Sequence, residues 1–479
     1  MRSLNPRRGS AVRQAAIRLR SRQPMLSILL LAAAALTSSA CSGAEEAAES
    51  AQAEPEGRIV RDKLAFPDAE GYGRFSIGGR GGKIIFVTTL ADKGPGTLRA
   101  CIDAKGPRTC VFRVSGIIRF GEERPVIKNP YLTIAGQTAP GDGILVTHDG
   151  GAAGLTPILV KGTHDIIIRH IRVRTDKLGE NREANDAFTI EDSNNIILDH
   201  VSGSWARDEN VNTHGANDAI TISSSIFAEG LRRHDKCALL GSDARQAQNV
   251  SFIKNICAHN GDRSPEVNFP PGSCIEVVNN VLYNASAAFL EIWESHGGTP
   301  VNVVGNYFRS GPESLPDAGA IVLQKINSAG SARIYRADNR VDPALIEINA
   351  AASIAEVAEP VCPPTHDALA VNEAYRRVMK TAGALPRDAF DRRVVSDVDN
   401  RKGVLVSKPG ELPVFAEREP SADEDRDGME DAWESAGGAR PAVYDPWSDE
   451  DGDGWANFEE FLEFAHQRLT AQAEAREED

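Results

Sequence analysis

Short apolar runs rich in isoleucine and valine recur through the middle of the chain, and each is followed by one polar and then another apolar residue. These units occupy residues 165–171, 195–201, 222–227, 252–256, 277–281 and 303–307. When the units are aligned, their polar residues stand 25 to 30 positions apart: His170, His200, Ser225, Asn255, Asn280 and Asn306. Repeats of about 20–50 residues are typical of solenoid folds, in which each coil packs on its neighbours.

Each run is too short for a helix, and β-branched residues favour strands. The pattern therefore predicts an all-β solenoid whose coils stack into long parallel sheets. Inside its turns the three asparagines should form a hydrogen-bonded ladder with the two histidines below it, so we expect structural rather than catalytic histidines. An open solenoid end needs a cap, and residues 97–104 predict a short amphipathic N-terminal helix with Thr97 as its N-cap.

The N-terminal segment predicts export. Residues 1–40 contain seven arginines and no acidic residue, and an apolar run at 25–40 ends in small residues before Cys41. This layout is typical of a signal peptide, and the run is too short to span a bilayer stably. Residues 38–41 resemble a bacterial lipobox, so we expect either a lipoprotein of the outer membrane or cell surface, anchored at Cys41, or ordinary cleavage and secretion. Residues 41–62 have too little apolar content to fold and predict a tether.

Charge and cysteine content bear on the partners of the protein and on the compartment in which it folds. The chain carries 53 basic and 68 acidic side chains, a net charge of −15, which argues against nucleic-acid binding. Six cysteines remain beyond Cys41, an even number that suits an oxidising compartment and allows three disulfides. Cys101 and Cys110 are the closest pair in sequence, but the sequence does not fix the pairing.

Several motifs resemble the opening coils of the pectate lyase family. They stand at residues 66–73 (FPDAEGYG), 94–99 (GPGTLR), 111–116 (VFRVSG), 133–141 (TIAGQTAPG), 198–202 (LDHVS), 234–236 (HDK) and 263–265 (RSP). The resemblance covers about residues 63–310, with a trailing region to about 415. It implies a right-handed parallel β-helix over 63–345 and a segment over 346–415 that packs on it. The pattern of apolar residues at 367–384 predicts an amphipathic helix within that segment.

The family cleaves uronate polymers by β-elimination, which needs a divalent cation to bridge enzyme acids and the substrate carboxylate. Asp186 matches one family calcium ligand, and Asp208 and Glu209 lie where the family places its other acidic pair. A further family carboxylate is Ala184 here. The alternative is that Asp186 is a turn residue and the acidic pair a solvated loop.

Arg263 matches the arginine that removes the C5 proton in the family. A free guanidinium has a pKa above about 12, so this role is implied by the resemblance, and we expect calcium and neighbouring cations to lower the pKa of Arg263. A second family arginine is Asn268 here, which bears on specificity for polygalacturonate. The alternative is a surface arginine.

A basic cluster at residues 232–236 stands out in an acidic protein. Lys236 matches the family lysine that binds a substrate carboxylate, and Arg232 and Arg233 are candidates for the same positive cleft. The alternative for such a run is a solvated face.

The C-terminal region contains two calcium-loop patterns of twelve residues. Their ligands are Asp423, Asp425, Asp427 and Glu434 in the first loop, and Asp449, Asp451, Asp453 and Glu460 in the second. Because no long Lys/Glu helix flanks the loops and three tryptophans (433, 447, 455) and Phe458 could form a small core, we expect a calcium module at 416–465 that folds on binding Ca²⁺, then a disordered tail at 466–479. An acidic disordered tail throughout is the alternative.

These observations predict an exported, monomeric, calcium-assisted polysaccharide lyase that acts on pectate or a related uronic-acid polymer. The main alternative is a catalytically silent β-helix that binds acidic glycans. A polyuronide hydrolase ranks third, because the β-helical hydrolases carry adjacent aspartates and this sequence has no Asp-Asp pair.

Overall fold

The computed structural model describes residues 62–121, 123–148, 156–175, 185–328, 330–416 and 418–475. The expected signal peptide, Cys41 and the tether up to residue 61 lie outside these ranges, as does Ala184. No helix in the described part of the chain is long and apolar enough to cross a bilayer.

The apolar runs of the repeat form short strands, and the polar residues between them form the turns. The strands are β1 Lys83–Val87, β2 Arg108–Phe112, β3 Gly116–Phe120, β4 Val126–Ile127, β5 Leu132–Ala135, β6 Ile144–His148, β7 Ile158–Lys161, β8 His164–Arg169, β9 Ile171–Arg174, β10 Phe188–Glu191, β11 Asn194–Asp199, β12 Ser202–Ser204, β13 Glu209–His214, β14 Asp218–Ser223, β15 Ile226–Ala228, β16 Lys236–Ser242, β17 Asn249–Ile253, β18 Ile256–Ala258, β19 Glu266–Val267, β20 Cys274–Val278, β21 Val281–Tyr283, β22 Ala288–Glu294, β23 Pro300–Val304, β24 Tyr307–Arg309, β25 Gly319–Lys325, β26 Arg333–Ala337, β27 Arg340–Val341 and β28 Ile346–Ile348.

From β2 onward every third strand joins the same sheet, and β1 pairs with β2. The chain forms a right-handed parallel β-helix, as predicted. Sheet I has the order β4-β7-β10-β13-β16-β19-β22-β25-β28, sheet II β1-β2-β5-β8-β11-β14-β17-β20-β23-β26, and sheet III β3-β6-β9-β12-β15-β18-β21-β24-β27. The inward side chains of all three sheets form one continuous apolar core. This burial stabilises the coil, because each isolated coil would leave its apolar face in water.

The asparagine ladder is confirmed. Asn255 Oδ1 accepts from the Ser225 N–H at 2.9 Å, Asn280 Oδ1 from the Asn255 N–H at 2.8 Å, and Asn306 Oδ1 from the Asn280 N–H at 2.9 Å. Asn339, which the repeat did not include, continues the ladder with a 3.0 Å bond from the Asn306 N–H.

The expected place of the two histidines is wrong by one residue. Strand β11 pairs with β14 so that Asp199 is level with Ser223, which places His200 level with Ser224, one position before the ladder. His170, His200 and Ser224 all have left-handed backbone conformations, with φ of 55°, 50° and 48°. The side chains at this corner point out of the solenoid rather than into it.

The helices lie outside the coil. They are α1 Leu98–Asp103, α2 Ala350–Ile354, α3 Val371–Thr381, α4 Ala389–Asn400, α5 Asp431–Trp433 and α6 Asn457–Ala475, with 3₁₀ turns at Tyr72–Phe75 and Gly136–Thr138 and a π turn at Glu434–Gly438. Helix α1 is the predicted cap: Thr97 accepts from the Ala100 N–H at 3.1 Å, and Leu98 and Ile102 join the core. The Cys101–Cys110 disulfide ties α1 to β2.

The segment after the β-helix packs on sheet III, as the resemblance implied. Val378 of α3 and Val394 and Val398 of α4 bury against Ile226 and Ile256. The predicted helix at 367–384 is therefore confirmed in a shorter form.

Two expectations for the C-terminus are wrong. Residues 466–475 are not a disordered tail but the second half of α6, because the buried Phe458, Phe461 and Ala465 hold this helix to the rest of the protein. The same helix flanks the second calcium loop. The four aromatic residues also form no separate core: Trp433, Trp447 and Phe458 pack with Ile84, Phe86 and Val111 of the first coils, whereas Trp455 lies beside the Lys63 ammonium at 3.9 Å.

Candidate active site and calcium loops

The candidate residues that the resemblance implied lie in a row at the N-terminal ends of successive strands of sheet I. Glu209 and Lys236 are the first residues of β13 and β16 and pair in register, and Asp186 lies two residues before β10. Arg263 follows one coil later, three residues before β19. Stacking of parallel strands therefore brings residues 23 to 27 positions apart into one row.

Asp186, Asp208 and Glu209 form an acidic group in which one carboxylate oxygen from each lies within 4.8 Å of the others. Asp186 is oriented by Thr189 Oγ1 at 2.6 Å and by the N–H of Glu209 at 3.2 Å. Asn212 donates to Asp186 at 3.3 Å, while its own amide oxygen is buried without a hydrogen-bond partner among the described residues. This set of oxygens suits Ca²⁺, which binds oxygen ligands and tolerates irregular coordination geometry.

The electrostatics of this group favour a cation. Burial, reinforced by Asp186 and Asp208, raises the pKa of Glu209 to about 9 despite its ion pair with Arg263. Burial, with a smaller contribution from Asp208, raises the pKa of Asp186 to about 6. Carboxylates crowded in this way resist ionisation unless a positive charge joins them.

Arg263 lies among acids. Its Nη1 is 2.5 Å from Glu209 Oε1, its Nε is 2.8 Å from Glu266 Oε2, and its backbone N–H donates to Glu291 at 3.0 Å. Burial lowers the pKa of Arg263, but Glu266 and Glu209 outweigh burial and leave the pKa raised. That calcium lowers this pKa stays a prediction. Trp293 covers the guanidinium at 5.5 Å.

Sequence reasoning missed Glu266, Glu291 and Trp293. Glu266 and Glu291 are register partners on β19 and β22, and burial raises the pKa of Glu266 to about 8 although Arg263 opposes the shift. The strand period could have found the two glutamates, because they stand level with Asn212 and Leu239, three residues further along the strands than the row that starts at Asp186.

The residues of the predicted basic cluster do not all lie in one cleft. Lys236 faces the row and its ammonium pairs with Asp262. Arg232 instead bonds Glu313 at 2.8 Å with a half-exposed side chain, and Arg233 is exposed. Asn268, at the second family arginine position, turns to Ser295, whose hydroxyl donates to it at 2.9 Å.

The first candidate calcium loop contains a second group of acids, and one member of this group was not predicted from the sequence. Asp423, Asp425 and Asp427 converge within 4.8 Å, and Asp427 and Glu434 converge in the same way with Asp445, which lies outside the twelve-residue pattern. The sequence pattern could not include Asp445, because the twelve-residue pattern ends at Glu434 and Asp445 comes eleven residues later.

Buried oxygens in this loop lack partners. Both oxygens of Glu434 and one each of Asp423, Asp425 and Asp427 are buried with no hydrogen-bond partner among the described residues. Burial, reinforced by nearby aspartates, raises the pKa of both Asp427 and Glu434 to about 7. Unpaired buried carboxylates cost several kcal/mol, and a bound Ca²⁺ would offset this cost.

The second loop repeats the geometry at the surface. Asp449, Asp451 and Asp453 converge within 4.8 Å and are exposed. The N–H of Gly454 donates to Asp449 at 3.1 Å, as the N–H of Gly428 donates to Asp423 at 3.3 Å. Glu460, in the first turn of α6, has its pKa raised by burial and by these aspartates.

Comparison with known proteins places the chain among pectate lyases. The pectate lyase family model matches residues 121–329. A probable pectate lyase C of Aspergillus fumigatus is 35% identical over 409 residues, which cover 81% of this chain and 90% of that protein, and one of Aspergillus flavus is 32% identical over 394 residues, or 80% and 89%.

A probable pectate lyase 13 of Arabidopsis thaliana is 29% identical over 196 residues, 39% of this chain and 36% of that protein. The crystal structure of the major allergen from cedar pollen has a TM-score of 0.53 at 18% identity, covers 66% of this chain and 93% of its own, and shares the fold. Because the fungal relatives match over most of both chains, this chain belongs to the pectate lyase family of polysaccharide lyases.

Proposed function

We propose that this protein cleaves pectate, or a closely related uronic-acid polymer, by calcium-assisted β-elimination along the row of sheet I. The observation that carries the proposal is the contact of Arg263 with Glu209, which joins the candidate base to the acidic group. The names of the fungal relatives support pectate as the substrate.

Each residue of the row has a separate task. Asp186, Asp208 and Glu209 would hold Ca²⁺, which when bound neutralises these acids and draws charge from the substrate carboxylate, so that the C5 proton becomes more acidic. Lys236 binds a uronate carboxylate, a task that fits an ammonium at the edge of the same row. Arg232 and Arg233 extend the positive surface toward further sugar units.

Arg263 is the proposed base, a role implied by the family. Its ion pairs with Glu209 and Glu266 fix the guanidinium in position but also stabilise its charged form. A cation that takes the charge of Glu209 removes one of these stabilising contacts. The calcium requirement of the base would then have a structural cause.

The experiment follows ultraviolet absorbance of the unsaturated product on polygalacturonate, methyl-esterified pectin and alginate, with calcium and with chelator. We expect absorbance to rise only with calcium, and activity to fall at least about a thousandfold in Arg263→Lys and Arg263→Ala. Arg245→Ala, which removes an exposed arginine of another loop, is the matched control. Reducing ends without absorbance would indicate a hydrolase, and binding without cleavage would indicate the silent glycan-binding alternative.

We also propose that the two C-terminal loops bind structural Ca²⁺. The ligands are Asp423, Asp425, Asp427, Glu434 and Asp445 in the first loop, and Asp449, Asp451, Asp453 and Glu460 in the second. The unpartnered buried oxygens of the first loop are the main support for this assignment.

Export remains a prediction from the sequence, by way of the signal peptide and either cleavage or lipidation at Cys41. Its test is the N-terminal mass of the mature protein, which would show a lipid on Cys41 or a free N-terminus.

A further inference from the structure

Two cysteines lie next to each other where the chain returns to the β-helix after its last coil. Cys101–Cys110 and Cys237–Cys257 are disulfides, whereas Cys274 and Cys362 are unbonded. We propose that Cys274 and Cys362 form a third disulfide, which ties the C-terminal segment to sheet II.

The two cysteines lie on neighbouring parts of the molecule. Cys274 is the first residue of β20, two residues before Glu276 on the same face of that strand, and Glu276 binds the segment that contains the buried Cys362 through the N–H of Thr365. Burial, reinforced by Cys274, raises the pKa of the Cys362 thiol. The hydroxyl of Tyr72 lies 3.4 Å from the Cys362 sulfur.

The backbone around Cys362 is fixed independently of sulfur. Asn302 of β23 accepts from the N–H of Val361 at 2.9 Å and donates to the carbonyl of Cys362 at 3.1 Å. Glu276 of β20 accepts from the N–H of Thr365 at 2.8 Å. Glu276 and Asn302 are register partners, so the segment lies across two neighbouring strands.

This double attachment holds Cys362 over the start of β20 before any covalent bond forms. A disulfide that forms between pre-positioned residues stabilises mainly by restricting the unfolded chain. Here it would close the long loop that contains the last coils, and would hold the connection that leads to α3 and α4.

The reaction requires an oxidant, for which we name a disulfide such as glutathione disulfide or that of an exported thiol oxidase. Cys274, which is half-buried, attacks as a thiolate and forms a mixed disulfide, releasing one thiol of the oxidant. Cys362 then loses its proton, attacks the sulfur of Cys274 and releases the second thiol. Both cysteines lose a proton and together two electrons, and the oxidant is reduced to two thiols.

The test is peptide mapping by mass spectrometry of the full chain, exported by its host, with free thiols blocked before denaturation. We expect a peptide pair joined through Cys274 and Cys362 that disappears on reduction. Alkylation of both residues while the other two disulfides remain intact would overturn the proposal, as would a bond from either residue to any other cysteine.

Variants give a second readout. Cys274→Ser and Cys362→Ser should lower the unfolding temperature by similar amounts, about 5 °C, and the double variant by no more than either single one, because each removes the same bond. Additive losses would indicate two independent packing roles. Since the mapping uses the native sequence, a variant that fails to fold leaves the test intact.

Discussion

At the scale of residues, the proposed substrate lysine is already neutralised by its own chain. The ammonium of Lys236 pairs with Asp262, which directly precedes Arg263 and is about one-third exposed at its side chain. A uronate carboxylate must therefore compete with Asp262 for the charge of the Lys236 ammonium. Such competition lowers affinity, because the ion pair within the protein is lost when the substrate binds.

Asp262→Asn should strengthen substrate binding. We expect KM for polygalacturonate to fall about threefold, and Lys236→Met to raise it at least about tenfold, with smaller changes in kcat for both. Initial rates over a range of substrate concentrations measure this split. Glu347→Gln, which removes one ion pair of Arg336 outside the row, is the matched control. Equal KM values for Asp262→Asn and the native enzyme would contradict the competition, and an unchanged KM in Lys236→Met would show that Lys236 does not bind the uronate.

At the scale of elements, a shift of one residue within a turn decides whether a side chain points into the solenoid or out of it. The ladder asparagines could be predicted from sequence, because their spacing follows the coil and a buried amide needs a partner at each step. The outward corner one residue earlier could not, since His170 meets α6 at a sequence separation of 296 residues. There His170 Nε2 lies 2.9 Å from His466 Nδ1, and the N–H of Leu385 donates to His170 Nδ1 at 3.2 Å.

The row of candidate catalytic residues shows the same limit of prediction from sequence. Asp186, Glu209, Lys236 and Arg263 could be assigned from motifs, and strand stacking confirms that they share an edge. The raised pKa of Arg263 could not be predicted, because it depends on Glu266, which contacts the guanidinium through a turn of irregular geometry.

The contact of α6 with the solenoid should weaken in mild acid. Burial, then neighbouring Arg169, lowers the pKa of His466, and burial, then His200 and Arg169, lowers that of His170. Both histidines are therefore neutral in the folded protein, and the unfolded chain takes up more protons below about pH 6.5. Stability from this contact is fully present above about pH 6.5 and is lost as the pH falls.

His466→Gln tests this dependence, because its amide oxygen still accepts from His170 but does not take up a proton. We expect the unfolding temperature to fall less between about pH 7 and pH 5.5 in this variant than in the native protein. Asp199 and Glu463 also face the cluster, and burial raises the pKa of Glu463, which acts in the opposite direction. The effect of Glu463 is common to both proteins, whereas the lowered pKa of Asp199 depends in part on His466, so the difference reports on His466 together with its interaction with Asp199. Identical pH profiles, with His296→Gln as the control, would contradict the assignment.

At the scale of the whole molecule, the C-terminal loops and the first coils share one core. Met429, Phe458 and Phe461 pack on Val111 and Ile84. Glu459, next to the proposed ligand Glu460, bonds Lys63 at 2.6 Å and pairs with Arg80. Calcium in these loops would therefore stabilise the first coils of the β-helix as well as the loops themselves, because the same apolar residues belong to both.

Two sets of variants should separate the two proposed roles of calcium. Asp427→Asn with Glu434→Gln should abolish most of the calcium-dependent rise in unfolding temperature, since binding to the folded state alone is what produces that rise, yet leave elimination at 25 °C intact in calcium. Asp186→Asn should retain the rise and lose activity at least about a hundredfold. Glu424→Gln, which changes an exposed carboxylate within the first loop, should do neither. The assignment fails if the loop variant is folded at 25 °C but inactive, because the loops would then serve the catalytic row, or if Asp186→Asn loses the thermal response, because that ion would then be the structural one.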